Sequence, residues 1–374
     1  MKDPFGKIDQ WLSDMIARGA VPSAAYLLAA RGEVIACRAF GRAVIHPEDI
    51  KATTETIYDI ASLTKPLITT TLIMQACQRR ILSLNDPIAR FVAEFAGTDK
   101  QTVTVEQLLT HTAGFPAWRP IYAEIKERGQ LGEYLARLPL THPPGTKVAY
   151  SDLGFITLSL LLERIYQTGF DQLTRRELLQ PLGLTRTFFN PPTTLQRSIA
   201  GGELNMDRER EEARQHGYDI PDHPIWQRRF IWGEVHDGNS YFLGGATGHG
   251  GLFSTLRETW ALAQQYLPGS RLLQPHTLGF FSKNFTPGLN PHRSLGWMLA
   301  STPGSAAGSA LSRDAFGHTG FTGTSLWIEP RLERVYILLT NRTHPRLTDA
   351  NMNHVRQTFH ALAARSLKQV VKKV

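Results

Sequence analysis

The sequence predicts an α+β fold: an antiparallel sheet of about five strands built from both ends of the chain and flanked by helices, plus a mainly helical region between. Two observations carry this. Pairs of apolar extended runs separated by short turn signals occur near residue 30 and again near residue 330, and most of the chain between them has helical rather than alternating spacing.

The elements follow in order. Ile8, Trp11, Leu12, Met15 and Ile16 recur at helical spacing and predict an amphipathic helix near residues 7–18. Ser23 to Ala30 and Glu33 to Phe40 are apolar runs joined at Arg31-Gly32, which reads as a hairpin. Pro66 to Leu82 carries no charge until Arg79 and is apolar on most faces, so it reads as a central helix with Pro66 in its first turn, where the missing N–H has no intrahelical partner to lose. A second apolar run, Leu153 to Leu162, follows the turn signal His142-Pro143-Pro144-Gly145. Asp207 to Arg214 is rich in charge and reads as a solvated helix face or loop. Ser325 to Glu329 and Arg334 to Thr340 form a second hairpin across Pro330 to Glu333, the stretch around His318 supplies the fifth strand, and a helix is expected near residues 349–367.

Composition bounds the function. A chain of 374 residues can bury a large core as one catalytic domain spanning residues 1–374. No run reaches the roughly 18 apolar residues of a membrane span, and Met1 to Lys7 leads into the amphipathic stretch without an apolar leader, so a cytoplasmic protein is expected. Cys37 and Cys77 read as small buried hydrophobes. The net charge of +8 is thinly spread, densest at Lys368 to Lys373, and comes with no nucleic-acid motif, so no nucleic-acid partner is expected. His216, His223, His236 and His249 lack the tight spacing of metal ligands, so neither a metal nor another cofactor is called for. The glycines at 244, 245, 248, 250 and 251 follow no obvious strand and suit close backbone packing better than a phosphate loop.

Three motifs carry chemistry. Ser62-Leu63-Thr64-Lys65 sets a hydroxyl and an amine one helical turn apart, and Ser62 is the only serine with a lysine three residues on. A helix N-terminus there would favour a developing anion. Tyr150-Ser151-Asp152 opens the second apolar run, and His318-Thr319-Gly320 lies in a glycine-interleaved extended stretch. Serine, lysine, tyrosine and a small-residue strand, in this order, resemble the serine β-lactamase and penicillin-binding protein superfamily. Tyr150 stands where the class C-like branch has tyrosine, Leu153 breaks a Ser-Asp-Asn reading, and no Glu-x-x-Leu-Asn occurs. Leu108 to Pro116 and Gly250 to Thr255 look like the same branch, which also holds DD-peptidases, esterases and amidases. Gly233 to Asp237, with the glycine-rich stretch after it, resembles a subgroup that includes muropeptide amidases and low-activity DD-peptidases.

The resemblance implies an α/β subdomain from about 1–60 and 256–374, a mainly helical subdomain from about 61–255, and an active site in the groove between them. It implies catalytic Ser62, Lys65 and Tyr150, an oxyanion hole from the amides of Ser62 and Phe321, and substrate contacts from Asp152, His318, Thr319 and Gly320. Desolvation would lower the Lys65 pKa toward use as a base, whereas pairing with Asp152 would raise it. His318, where efficient β-lactamases have lysine, weakens the cation that would meet a β-lactam carboxylate, and Asp152 stands where an amide is usual. His236 and Asp237 read either as a ligand-facing pair or as a buried corner. The expected activity is acyl transfer to water from an amide or ester, with a peptidoglycan-derived peptide as the expected substrate and a carboxylesterase, a weak β-lactamase or a silent penicillin-binding module as alternatives.

Overall fold

A computed structural model describes residues 3–226 and 230–371. Its main sheet has seven antiparallel strands: β1 (Ser23–Ala30), β2 (Glu33–Val44) and β3 (Ile50–Lys51) from one end of the chain, and β6 (Met298–Leu299), β7 (Phe316–Thr319), β8 (Ser325–Glu329) and β9 (Arg334–Thr340) from the other. The spatial order is β3-β2-β1-β9-β8-β7-β6, so β1 and β9 join the two ends at the centre. A small ladder pairs β4 (Tyr58–Asp59) with β5 (Phe253–Ser254). The expected five strands become seven because β3 and β6 are two-residue edge strands, too short to leave an alternating pattern.

Strand β1 shows why the run Ser23–Ala30 lacks polar alternation: every residue is buried, because both faces of the sheet are covered. Ala25, Leu27 and Ala29 face the large core shared with the helical region. Ala24, Tyr26 and Leu28 face the other way, under the N-terminal helix Gly6–Ala17 and the C-terminal helix Met352–Val371, through Ile8, Leu12, Phe359 and Leu367. Of the basic run Lys368 to Lys373, Lys372 and Lys373 lie outside the described residues, as do Met1 and Lys2. No helix among the described residues is long and apolar enough to cross a membrane.

The helical region differs from expectation in two places. The central apolar helix stops at Gln78 rather than Leu82: Arg80 takes φ +57°, its N–H bonds to the Cys77 carbonyl, and the N–H of Ile81 reaches back to Ala76. These two bonds satisfy the last carbonyls, as glycine usually allows at this position, and an arginine there hides the stop from a sequence reading. The charge-rich run is helical over Asp207–Gln215 but is not simply solvated, since Glu209 is buried and its Oε2 accepts the Gly238 N–H at 3.0 Å.

Candidate active site

Ser62 lies in a tight turn, Ala61–Leu63, that enters a wide helical turn over Lys65–Thr70 and then the regular helix Thr71–Gln78. Ala61 is held at φ +49°, a left-handed conformation disfavoured for alanine, with its N–H donated to Asp59 Oδ1 at 2.8 Å. The loop between β7 and β8 is tied to the same place. Thr322 Oγ1 donates to the Asp59 carbonyl at 2.9 Å and Thr324 Oγ1 to that of Ile60 at 3.2 Å. A side chain at Gly320 would overlap Thr324 Oγ1 and crowd the Ile60 carbonyl, so only glycine lets β7 approach Ser62. Phe321 thereby comes to line the space around Ser62 on both sides.

Lys65 is fully buried, and its Nζ donates to Ser62 Oγ at 3.0 Å and to the His249 carbonyl at 2.9 Å. The glycine-rich stretch is what delivers that carbonyl: a side chain at Gly248 would collide with the Phe155 carbonyl, while the Gly248 carbonyl accepts Thr69 Oγ1 at 2.6 Å. Asp152 Oδ1 lies 2.6 Å from Nζ as a charge pair without the alignment of a hydrogen bond. Burial alone would push the amine's pKa down, but the charges of Asp152 and Tyr150 outweigh it and raise the value. Of the two opposing effects expected from the sequence, pairing with Asp152 therefore outweighs desolvation.

Tyr150 stacks its ring 5.0 Å from Lys65 Nζ. Burial raises the phenol's pKa, while Lys65 and a hydrogen bond with Ser62 work against that rise. Ser151 caps the helix Asp152–Tyr166 by accepting the Gly154 N–H at 3.3 Å. His111 supports the same corner, accepting the Ser151 N–H at 3.1 Å with its ring 4.5 Å from that of Tyr150. His111 thus gives the Leu108 to Pro116 segment a positioning task that the sequence did not disclose.

His318 is the penultimate residue of β7, with its ring 5.9 Å from that of Tyr150. Burial, helped by Arg293 and Lys65, holds its pKa well below the usual histidine value, so the ring is neutral. Its Nδ1 lies 2.9 Å from the Thr319 carbonyl, which can only accept, so the proton sits on Nδ1 and the unpartnered Nε2 is an acceptor. His236 and Asp237 part company. His236 is buried against Glu203, Nε2 to Oε2 2.6 Å, and does not reach the space around Ser62. Asp237 does: it pairs with His249 at 2.9 Å and caps Gly238–Phe242 by accepting the Ser240 N–H at 2.6 Å. Burial would raise its pKa, but His249 and Ser240 bring it well below the usual carboxylate range.

The β-lactamase family profile matches residues 8–359. The chain belongs to the β-lactamase family. It is a serine hydrolase of that superfamily. A protein of Escherichia coli K12 with the provisional name D-alanyl-D-alanine carboxypeptidase is 29% identical over 93% of this chain and 85% of its own length. Among solved structures, the hydrolase EstCE1, described as having promiscuous acyltransferase activity, superposes with a TM-score of 0.74 at 20% identity over 96% of this chain and 98% of its own. The β-lactamase/D-alanine carboxypeptidase of Yersinia pestis gives 0.71 at 18% over 97% and 98%.

In this family member two pockets open on either side of Ser62. The one toward the helical region is lined by Asp59, Asp152, Glu209, Glu212 and Asp237, with Arg208 and His249 as its cationic or cation-capable groups. The one toward the sheet, about 360 Å³, is lined by Arg293, Arg342 and Arg356 together with His318 and Met298, and no carboxylate lines it among the described residues. None of the three arginines was marked out by the motifs, because an isolated arginine in a sequence carries no sign that it will be buried.

Proposed function

We propose that this protein hydrolyses an amide bond of a peptidoglycan-derived peptide through an acyl-enzyme on Ser62, in the manner of a carboxypeptidase or amidase. The observation that carries the reading is the Ser62 hydroxyl 3.0 Å from a buried Lys65 amine, with Tyr150 closing the group and the Phe321 loop beside it. Ser62 Oγ bonds to the carbonyl carbon, its proton passes to the Tyr150–Lys65–Asp152 unit, and the amides of Ser62 and Phe321 hold the oxyanion. The C–N bond then breaks as the unit returns the proton to the departing amine. Water adds to the ester with the same group as base, releasing the acid and restoring Ser62. Because Asp152 keeps Lys65 protonated at rest, the resting cation serves chiefly to make the Tyr150 phenol a better acid, and the three groups titrate as one system. The relatives named as carboxypeptidases support the peptide substrate.

Intact-mass analysis with a fluorophosphonate tests the reading. One adduct on Ser62, lost in Ser62→Ala, is expected, together with a fall of about 10²- to 10⁴-fold in turnover for Tyr150→Phe, as for a lost general acid–base. An adduct on another serine, or near-normal turnover in Tyr150→Phe, would overturn it.

A further inference from the structure

Three arginines converge on the sheet-side pocket and none has a carboxylate within ion-pair distance among the described residues. Arg293 is only 3% exposed, yet its Nε and Nη1 have no hydrogen-bond acceptor. Its guanidinium lies 5.7 Å from the centre of the Tyr150 ring, one residue away from the reacting serine. Arg356 donates from Nη2 to the Gly320 carbonyl at 2.7 Å, which anchors it at the mouth of the loop holding Phe321, while its Nε is buried and unpartnered. Arg342 likewise buries an unpartnered Nε. Arg342 and Arg356 repel one another. Burial lowers the pKa of Arg356 to about 9, with Arg342 adding to the effect, and burial lowers that of Arg293 to about 10.

A fold gains nothing by keeping one fully buried and two half-buried guanidinium groups around one pocket unless an anion completes the set. His318 cannot be that partner, being neutral and presenting an acceptor nitrogen. Planar guanidinium groups with free Nε–H donors match carboxylates geometrically, often in bidentate pairs. One carboxylate can neutralise one of the three and share a second, and leaves the pocket cationic. Two carboxylates leave a single excess charge, closer to the neutral balance of an ordinary Arg–carboxylate pair than the two that one carboxylate would leave.

Resting on the proposed acyl-enzyme chemistry, we infer that the pocket of Arg293, Arg342 and Arg356 binds a leaving group bearing two carboxylates, so that the released product is a dicarboxylic amino acid. The side of the scissile bond follows from chemistry. The carboxyl of the acyl half is consumed in the bond that Ser62 attacks, so the nearest free carboxylate belongs to the residue that departs. Its α-carboxylate meets Arg293, next to Tyr150, which returns the proton to its amine. The second carboxylate reaches Arg342 and Arg356.

The test measures how small carboxylates slow fluorophosphonate labelling of Ser62 at constant ionic strength, which needs no knowledge of the acyl half. Glutarate and 2-hydroxyglutarate are compared with butyrate, 2-hydroxybutyrate and inorganic phosphate. The dicarboxylates should protect at concentrations at least tenfold below the monocarboxylates. Arg342→Gln and Arg356→Gln, checked for folding by circular dichroism, should each reduce that advantage about tenfold, whereas Arg331→Gln, at an exposed position paired with Asp314, should preserve it. Equal protection by mono- and dicarboxylates, no protection by either, or phosphate outperforming the dicarboxylates would overturn the inference while leaving the serine chemistry intact. A protein whose Ser62 is never labelled would instead overturn the proposed function and this inference with it.

Discussion

The two pockets beside Ser62 treat their charged side chains in opposite ways. On the helical side the charges are settled within the protein: Lys65 with Asp152, His249 with Asp237, and Arg208 with Glu212 at 3.0 Å. The two carboxylates without such partners are pushed toward neutrality, Asp59 by burial to about 6 and Glu209 by burial and the nearby Asp237 to well above the usual range. On the sheet side the cations stay permanent and unmatched. Guanidinium cannot escape its charge by shedding a proton near pH 7, so the missing counter-charge has to arrive from outside. The contrast separates charges that hold the catalytic group in shape from charges that wait for substrate.

Three measurements would break or sharpen that contrast. Arg293→Met should raise the melting temperature, because an unpaired buried charge is replaced by an apolar chain of similar reach, while kcat/KM on an amide substrate falls at least about thirtyfold, as for a truncated buried charge contact. A variant that lost both would make Arg293 a structural residue like those across the groove. Asp152→Asn removes the anion that raises the pKa of Lys65, so the rise of kcat with pH should move to lower pH. An unmoved profile would show that the ion pair does not govern the proton-transfer unit. The smallest effect is expected at Glu209→Gln. The folded-state pKa of Glu209 lies above its unfolded value, so its ionisation costs stability that grows as pH rises from about 4.5 through the raised pKa. The substituted amide would keep an acceptor for the Gly238 N–H and drop the charge, so the variant should melt about 2 °C higher at pH 8 and no higher at pH 4.5. A destabilised variant at pH 8 would mean that Glu209 is held ionised by a partner in the groove.

Much of this was legible in the sequence where the signal is local. The turn at Arg31-Gly32 and the strands β8 and β9 fall where apolar runs and turn residues put them, because hairpins are written in neighbouring residues. Ser62, Lys65 and Tyr150 were found as motifs, and the chain brings them together. What depended on distant residues was not legible. Whether Lys65 is raised or lowered turns on the competition between burial and Asp152, whose balance only the three-dimensional arrangement fixes. His236 and Asp237 are adjacent in sequence yet face different partners, Glu203 and His249. The arginine pocket draws on residues from three separate segments, each unremarkable alone.

The pairing of β1 with β9 imposes an order of events on the making of this protein. The Ser23 hydroxyl donates to Asn341 Oδ1 at 2.7 Å across 318 residues, and Ala24 faces Thr340 in the ladder. During synthesis at roughly 5–20 residues per second, an apolar strand completed near residue 30 waits on the order of 15–60 s for its neighbour to exist. Until then its edge is open to pairing with any other strand, and the β7–β8 loop that brings Phe321 to Ser62 has no finished sheet to rest on. A nascent chain can therefore carry its nucleophile, lysine and tyrosine for most of its time on the ribosome without being an enzyme, and its yield should respond to chaperones that shield that first hairpin.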